Sequence, residues 1–122
     1  MLIFLRTFRI TILVLLTLAL IPIQAFILIL RLPYVQALPL LYHRLVARIL
    51  KLDLIVTGEV SKNKPILFIA NHSSWVDIVV LSSLAPVSFV AKSEISLWPG
   101  VSLLAKLQST VFVIRSRQQA AE

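Results

Sequence analysis

An uncharged apolar run near the amino terminus constrains this chain more than any other feature. The 21 residues from Ile10 to Leu30 carry no charged side chain, and their polar side chains are those of Thr11, Thr17 and Gln24. A helix of this length, at about 1.5 Å per residue, spans the roughly 30 Å hydrocarbon core of a bilayer. The run therefore predicts a membrane helix.

Two alternatives to a simple spanning helix follow from the same residues. Arg6 and Arg9 precede the run as they would in a signal peptide, but the run exceeds the usual core of about 7 to 15 residues and no Ala-x-Ala site closes it. Pro22 interrupts the run, so a re-entrant hairpin in one leaflet stands beside a kinked spanning helix. The basic residues that follow favour a cytoplasmic location for the downstream part. We expect a bacterial inner membrane, with the part of the chain after the run on its cytoplasmic side.

Composition supports the membrane interpretation. Hydrophobic residues make up 59% of the 122 residues, which is too apolar for an ordinary soluble domain. Twelve basic residues face five acidic ones, which favours an anionic lipid surface as partner. Nucleic acid is disfavoured because the basic residues are interleaved with leucines rather than with groove-contacting side chains. The absence of cysteine excludes disulfides, a thiol nucleophile and thiolate metal sites.

A second helix is predicted over residues 40–52. Its apolar side is formed by Leu41, Leu45, Ile49 and Leu52. Arg44 and Arg48 lie next to that side, as in a helix that rests in the lipid headgroup region. The alternative is a helix packed on a domain core with a solvated basic edge. His43 is assigned to the interfacial face, and residues 1–51 are predicted to form the membrane anchor and interfacial helix.

Residues 52–122 carry the pattern of a partial α/β domain. Strands are predicted at residues 53–57, 65–70, 87–91 and 110–114. Helices are predicted after Ser74 and after Pro99. This alternation predicts an α/β fold: a membrane helix or re-entrant hairpin and an interfacial helix, then the first half of a mostly parallel sheet covered by helices.

His72 and Asp77 stand five positions apart, between the predicted strand 65–70 and the helix after it. Helix residues five apart point about 140° away from each other, so these side chains meet only if His72 lies on the incoming loop and Asp77 in the first turn. Ser73 and Ser74 are capping residues placed where that geometry needs the helix to begin. A histidine held by a carboxylate is a general base. The structural alternative is that Ser74 and Asp77 form a capping box beside a loop histidine.

The pattern Asn71-His72-x-x-x-x-Asp77 resembles the first motif of the glycerolipid acyltransferase family, the lysophosphatidic acid acyltransferases and their relatives. The resemblance implies that His72, oriented by Asp77, takes a proton from an acceptor hydroxyl, whose oxygen attacks a thioester. The implied acceptor is a lysophospholipid such as 1-acylglycerol 3-phosphate. The implied donor is acyl-CoA or acyl-carrier protein, and no cofactor is expected.

Two further stretches carry the resemblance. Residues 91–94 match an Ala-Lys-x-Glu pattern, and residues 109–115 match a second family motif, Gly-x-x-Phe-(Val/Ile)-(Asp/Glu)-Arg. Ser109 stands where glycine is usual and Ile114 where an acid is usual. These departures affect the local turn and any carboxylate role at this motif.

The same stretches supply the predicted substrate contacts. Arg115 is a candidate clamp for a substrate phosphate. Lys92 adds a second positive charge, or is a solvated lysine at a strand end. The predicted substrate-binding residues are Ser73, Ser74, Lys92 and Arg115. Trp75 and Trp98 are interpreted as core residues or interfacial anchors.

The family's third motif, resembling Phe-Pro-Glu-Gly-Thr-Arg, does not occur in the 122 residues. We therefore expect an amino-terminal fragment with weak or absent isolated activity and an uncovered sheet edge. Residues 86–99 also resemble bacterial lyso-ornithine lipid acyltransferases, which is the first alternative function. The second is a non-catalytic, membrane-anchored lipid-binding remnant. A serine hydrolase is disfavoured because there is no Gly-x-Ser-x-Gly elbow, and no metal-ligand set is predicted.

Overall fold

A computed structural model describes residues 1–114 of the chain. Its elements in order are helix α1 (Leu2–Ile29), helix α2 (Ala37–Ile49), helix α3 (Val76–Leu84), strand β1 (Val90–Lys92), a 3-10 turn (Ser93–Leu97), helix α4 (Val101–Leu107) and strand β2 (Val111–Val113). The strands pair in parallel, and the 3-10 turn between them contacts both. The predicted α/β class is confirmed.

Helix α1 is one continuous helix of 28 residues, about 42 Å long at 1.5 Å per residue. It continues through Pro22, so of the two alternatives left open the structure has the helix and not the hairpin. Proline removes one intrahelical hydrogen bond and favours a kink, and the apolar helix formers around it keep the chain helical. Within residues 1–114, α1 alone has the length and hydropathy to cross a membrane.

The threonine side chains of α1 suit an apolar environment. The Thr7 hydroxyl donates to the Ile3 carbonyl at 3.0 Å, that of Thr11 to the Thr7 carbonyl at 2.9 Å, and that of Thr17 to the Leu13 carbonyl at 2.7 Å. Each hydroxyl therefore finds its partner within the helix and needs no water, which lowers the cost of placing it among hydrocarbon.

One side of α1 is docked on the rest of the chain. The Thr17 and Tyr42 hydroxyls lie 2.8 Å apart and join α1 to α2. Closer to the end of α1, the Gln24 amide donates to the carbonyls of Val35 at 2.9 Å and Leu107 at 3.0 Å. The opposite side of α1 exposes large apolar side chains, among them Val14, Leu15, Leu18, Ile23 and Phe26. The helix thus has a domain side and a bare side.

Helix α2 begins three residues before the predicted start and packs on α3. Val46 and Ala47 form a buried cluster with Val79 of α3. Of the two interpretations of this helix, packing on a domain core is the one that the structure shows.

His43 is 9% exposed, so its assignment to the interfacial face is wrong. Its Nδ1 donates to the Pro39 carbonyl at 2.7 Å, and its ring meets the Tyr42 ring edge-on at 5.0 Å between centroids. These two contacts satisfy the imidazole inside the fold. Burial lowers the pKa of His43, although its hydrogen bond to the Pro39 carbonyl raises it.

Strands β1 and β2 form a two-stranded parallel sheet with Val90 opposite Val111 and Lys92 opposite Val113. The strands predicted at 53–57 and 65–70 are wrong for the described part of the chain, where neither segment joins a β-ladder. Their apolar side chains are largely exposed: Ile55 is 90% exposed and Ile69 89%. Strand propensity reflects a fit to a half-buried pleated surface, and a strand also needs a neighbour for its backbone hydrogen bonds.

Candidate functional site

His72 and Asp77 meet at the amino-terminal end of α3. His72 lies on the loop that enters the helix, and Asp77 is in the first turn. His72 Nδ1 lies 3.1 Å from Asp77 Oδ2. The imidazole is open, with 64% of its side chain exposed, whereas the carboxylate is 31% exposed. The structure therefore has the geometry that the five-residue spacing requires.

The same carboxylate oxygen also holds the start of α3. The backbone N–H groups of Ser73 and Ser74 donate to Asp77 Oδ2 at 2.8 and 2.9 Å. The Ser74 hydroxyl accepts a hydrogen bond from the Val76 N–H at 3.2 Å. The two interpretations of this motif are thus compatible, because Asp77 contacts His72 and caps the helix with one oxygen.

These contacts fix the protonation state of the carboxyl group. The backbone N–H groups of Ser74 and then Ser73, together with His72, lower the pKa of Asp77. An ionised carboxylate only accepts hydrogen bonds, so His72 Nδ1 must be the donor between them. In a neutral imidazole the proton is then on Nδ1, which leaves the Nε2 lone pair free. The site therefore presents an oriented, exposed base.

The other predicted site residues lie in different settings. Lys92 ends β1, and its Nζ lies 2.9 Å from Glu94 Oε1, with both side chains more than half exposed. The Lys92 ammonium holds the pKa of Glu94 below its usual range. Ser73 and Ser74 contribute their backbone N–H groups to Asp77. Arg115 lies outside the described residues.

An apolar cavity of about 460 Å³ reaches the amino-terminal end of α3. Residues from α1, α2, α3, β1, the 3-10 turn and α4 line it. Two of its lining residues, Trp75 and Ile78, lie next to the His72–Asp77 pair in the chain. The cavity was not predicted, because its wall combines side chains from elements that are distant in sequence. One signal for such a cavity was present in the sequence, which contains more leucines and isoleucines than one buried face per helix requires.

Within the described part of the chain, no three His, Asp or Glu side chains come together as a metal site would require. Among the predicted site residues in this part of the chain, His72 pairs with Asp77 and Lys92 pairs with Glu94. The arrangement has the elements of base catalysis next to an apolar binding space.

Comparison with known proteins also indicates acyl-transfer chemistry. Residues 53–122 match the family model described as Acyltransferase. The chain is 45% identical over 103 residues to the lyso-ornithine lipid O-acyltransferase of Brucella abortus (strain 2308), covering 84% of this chain and 39% of the relative. It is 46% identical over 107 residues to the protein of the same name from Rhizobium meliloti (strain 1021), covering 88% and 37%.

A further relative is named for a different acceptor. The 1-acyl-sn-glycerol-3-phosphate acyltransferase of Neisseria gonorrhoeae is 40% identical over 57 residues, covering 47% of this chain and 22% of that protein. No solved structure matches the chain at a significant level. The chain spans about two fifths of the length of the first two relatives, 39% and 37%. The motif, the family model and these relatives agree: the chain belongs to the glycerolipid acyltransferase family.

Proposed function

We propose that this chain carries the general base of a membrane-associated O-acyltransferase that acylates the hydroxyl of a lyso-lipid. The observation that carries the proposal is the hydrogen bond between His72 and an Asp77 carboxylate that is held ionised. The donor is a fatty acyl thioester, on acyl-CoA or acyl-carrier protein. The reaction takes place at the cytoplasmic face of a bacterial inner membrane, with α1 as the anchor.

The chemistry follows from the free Nε2 of His72. Nε2 takes the proton of the acceptor hydroxyl as its oxygen attacks the thioester carbonyl. The tetrahedral intermediate then collapses, so that a C–O ester bond forms, the C–S bond breaks, and the proton passes from His72 to the departing sulfur. Asp77 stabilises the imidazolium that exists between the two transfers. No acyl-enzyme is required.

The apolar cavity supplies a place for a fatty acyl chain. Its volume of about 460 Å³ lies within the roughly 300–1,000 Å³ typical of ligand pockets. The Thr17 and Tyr42 hydroxyls on its wall bond to each other, so that they need no polar partner from a hydrocarbon guest. Trp75 lines the cavity and is two residues from Asp77 in the chain, which supports an acyl chain whose reacting end lies near the base.

For the acceptor, we propose a lyso-ornithine lipid. The two relatives named for that acceptor match over 84% and 88% of this chain, whereas the relative named for 1-acylglycerol 3-phosphate matches over 47%. The expected acceptor of the motif, 1-acylglycerol 3-phosphate, is the second candidate, because that relative also covers the motif region. Lys92, Arg115 and the two serines are proposed to contact the acceptor headgroup.

The test is acyl transfer by the purified chain in detergent, with radiolabelled acyl-carrier protein and the two acceptors in parallel. Because the isolated chain is expected to be weakly active, we expect a low yield of labelled product with lyso-ornithine lipid, measured in a long incubation. Replacement by His72→Ala or Asp77→Asn should reduce the rate by about 10²- to 10⁴-fold, the usual contribution of a general base. Glu59→Gln is the matched control, because it also neutralises a carboxylate but at an exposed position far from the motif in the chain.

The outcomes separate the function classes. Transfer that survives His72→Ala would contradict the base assignment. Lipid binding without transfer, equal in the parent chain and in both variants, would instead support a non-catalytic lipid-binding protein. Product from 1-acylglycerol 3-phosphate alone would overturn the choice of acceptor and leave the chemistry intact.

A further inference from the structure

A corner of the molecule between the 3-10 turn and α4 exposes a cluster of large apolar side chains. We call it the tryptophan corner, residues 97–104. Its exposed fractions are 80% for Leu97, 57% for Trp98, 47% for Val101, 47% for Leu103 and 46% for Leu104. Residues 95–105 carry no charged side chain. A soluble surface rarely leaves such a contiguous patch uncovered, so the corner indicates a binding surface.

We propose that the tryptophan corner inserts into the interfacial layer of the lipid bilayer, as a second membrane contact beside α1. The contact depends only on the membrane association of α1 and not on acyl transfer. Its chemistry is that of an interfacial anchor: leucine and valine side chains enter the acyl region, while the indole of Trp98 keeps its N–H at the headgroups.

The backbone presents the corner as a tip. The 3-10 turn ends at Leu97, and Gly100 takes a positive φ of 76° just before α4 begins. This left-handed conformation is easy for glycine, and it allows the chain to reverse sharply. Leu97 and Trp98 therefore precede the reversal and Val101 follows it, and Leu97 and Trp98 have most of their surface exposed.

The corner is held close to the membrane helix. The Gln24 amide, on a side chain only 5% exposed, donates to the Leu107 carbonyl at the end of α4. Gln24 lies five residues before the end of α1, or about 7.5 Å at 1.5 Å per residue. With α1 in the bilayer, this bond holds the end of α4 within about 7.5 Å, measured along α1, of the point where that helix ends. Val101, the first residue of α4, lies about 9 Å from Leu107 along the α4 axis.

The charges around the corner favour lipid over a solvated surface. Lys106 is exposed on the last turn of α4, whereas Lys92, just before the 3-10 turn, is paired with Glu94. Between residues 95 and 114 there is no acidic side chain. Lysines at the edge of an apolar patch can extend their ammonium groups to lipid phosphates while their methylenes stay in the apolar layer. The continuity with α1 and this charge pattern commit the surface to a bilayer.

The test is the depth of Trp98 in vesicles. The Trp75→Phe variant leaves Trp98 as the single tryptophan, and the full chain is reconstituted in phosphatidylcholine–phosphatidylglycerol vesicles. We expect a blue-shifted emission, strong quenching by lipids brominated near the headgroup end of the acyl chain, and protection from aqueous iodide. Iodide quenching as strong as that of a water-exposed indole, with no effect of brominated lipid, would overturn the proposal. That result is also expected if another protein is the partner of the corner.

A pair of matched variants separates insertion of the corner from anchoring by α1. In the single-tryptophan background, Leu97→Glu places a charge on the corner, and Leu67→Glu places one on an equally exposed loop residue, with exposures of 80% and 81%. Both variants should stay with the vesicles through α1. Quenching by brominated lipid should fall in Leu97→Glu and persist in Leu67→Glu. Equal quenching in both would contradict the proposal.

Discussion

At the scale of single residues, Asp77 joins two properties that are often separate. One oxygen accepts hydrogen bonds from His72 and from two backbone N–H groups that open α3. The orientation of the proposed base is therefore coupled to the first turn of a helix. Any change that frays this turn also releases the imidazole, so the site is sensitive to substitutions that never touch a substrate.

The coupling predicts a pH dependence. The pKa of Asp77 is lowered in the folded chain, below its unfolded value of about 3.9. A lowered carboxyl pKa adds stability that is present above the unfolded pKa and is lost as the pH falls through the folded pKa. We expect the amide proton signals of Ser73 and Ser74 to titrate together in micelles, with one midpoint below about 3.9. NMR spectra across this range measure that midpoint.

Asp77→Asn is the matched variant for this titration, because it keeps an acceptor oxygen and removes the titrating proton. The two amide signals should then stop moving with pH. A shared midpoint at or above that of an unfolded aspartate would show that the backbone N–H groups do not stabilise the charge.

Some of these residue properties were accessible from the sequence and some were not. The contact between His72 and Asp77 follows from spacing and from the two serines that mark the helix start. The shared oxygen does not, because it depends on which backbone N–H groups the loop turns towards the carboxylate. His43 was misplaced for a related reason: its local partners Pro39 and Tyr42 allow a buried imidazole, and periodicity alone does not reveal them.

At the scale of elements, Gln24 is the joint between the apolar helix and the rest of the fold. Its amide donates to a carbonyl of the α1–α2 connection and to a carbonyl of α4. The second partner is 83 residues from Gln24 in the chain. The Nε2 group of Gln24 is bonded on both of its hydrogens, whereas its Oε1 is buried without a partner among the described residues. Because a buried amide is costly unless it is bonded, the two bonds from Nε2 indicate a specific docking contact.

We expect Gln24→Leu to destabilise this joint. The substitution keeps the side-chain size but leaves the Val35 and Leu107 carbonyls without their donor, at a cost of about 1–3 kcal/mol. Thermal unfolding in detergent, followed by circular dichroism, should show a lower midpoint. Thr11→Val is the control, since the Thr11 hydroxyl is exposed and bonds only within α1. Equal midpoints for both variants would contradict the role of Gln24.

The elements themselves were predictable to different degrees. Helices α1 to α4 were all predicted, since apolar periodicity and capping residues are local signals. Residues 53–57 and 65–70 have a composition as typical of strands as that of β1 and β2. In the described part of the chain, neither segment forms a strand. The ladder partners of a strand are set by tertiary pairing, which composition does not contain. The sequence likewise could not tell that α1 continues as a helix through Pro22, despite the one hydrogen bond that proline removes.

At the scale of the whole molecule, α1 has a docked side and a bare side, and its apolar character together with the lipid acyltransferase relatives points to membrane association. The docked side shares the wall of the apolar cavity with the domain. An acyl chain in this cavity would thus lie against the membrane helix itself, so that a lipid substrate need not leave the bilayer fully to reach His72.

The bare side of α1 yields the last prediction. Leu18 is 61% exposed and lies near the middle of the uncharged run, so Leu18→Arg should place a charge in the hydrocarbon at a cost of about 2.5–3.5 kcal/mol on insertion scales. Alkaline carbonate extraction of cell membranes measures the effect as a shift of the chain from pellet to supernatant. Leu67→Arg, with an 81% exposed leucine outside α1, is the control and should stay in the pellet. If the parent chain is itself extracted, or if Leu18→Arg behaves like the control, then the bare side of α1 does not face lipid.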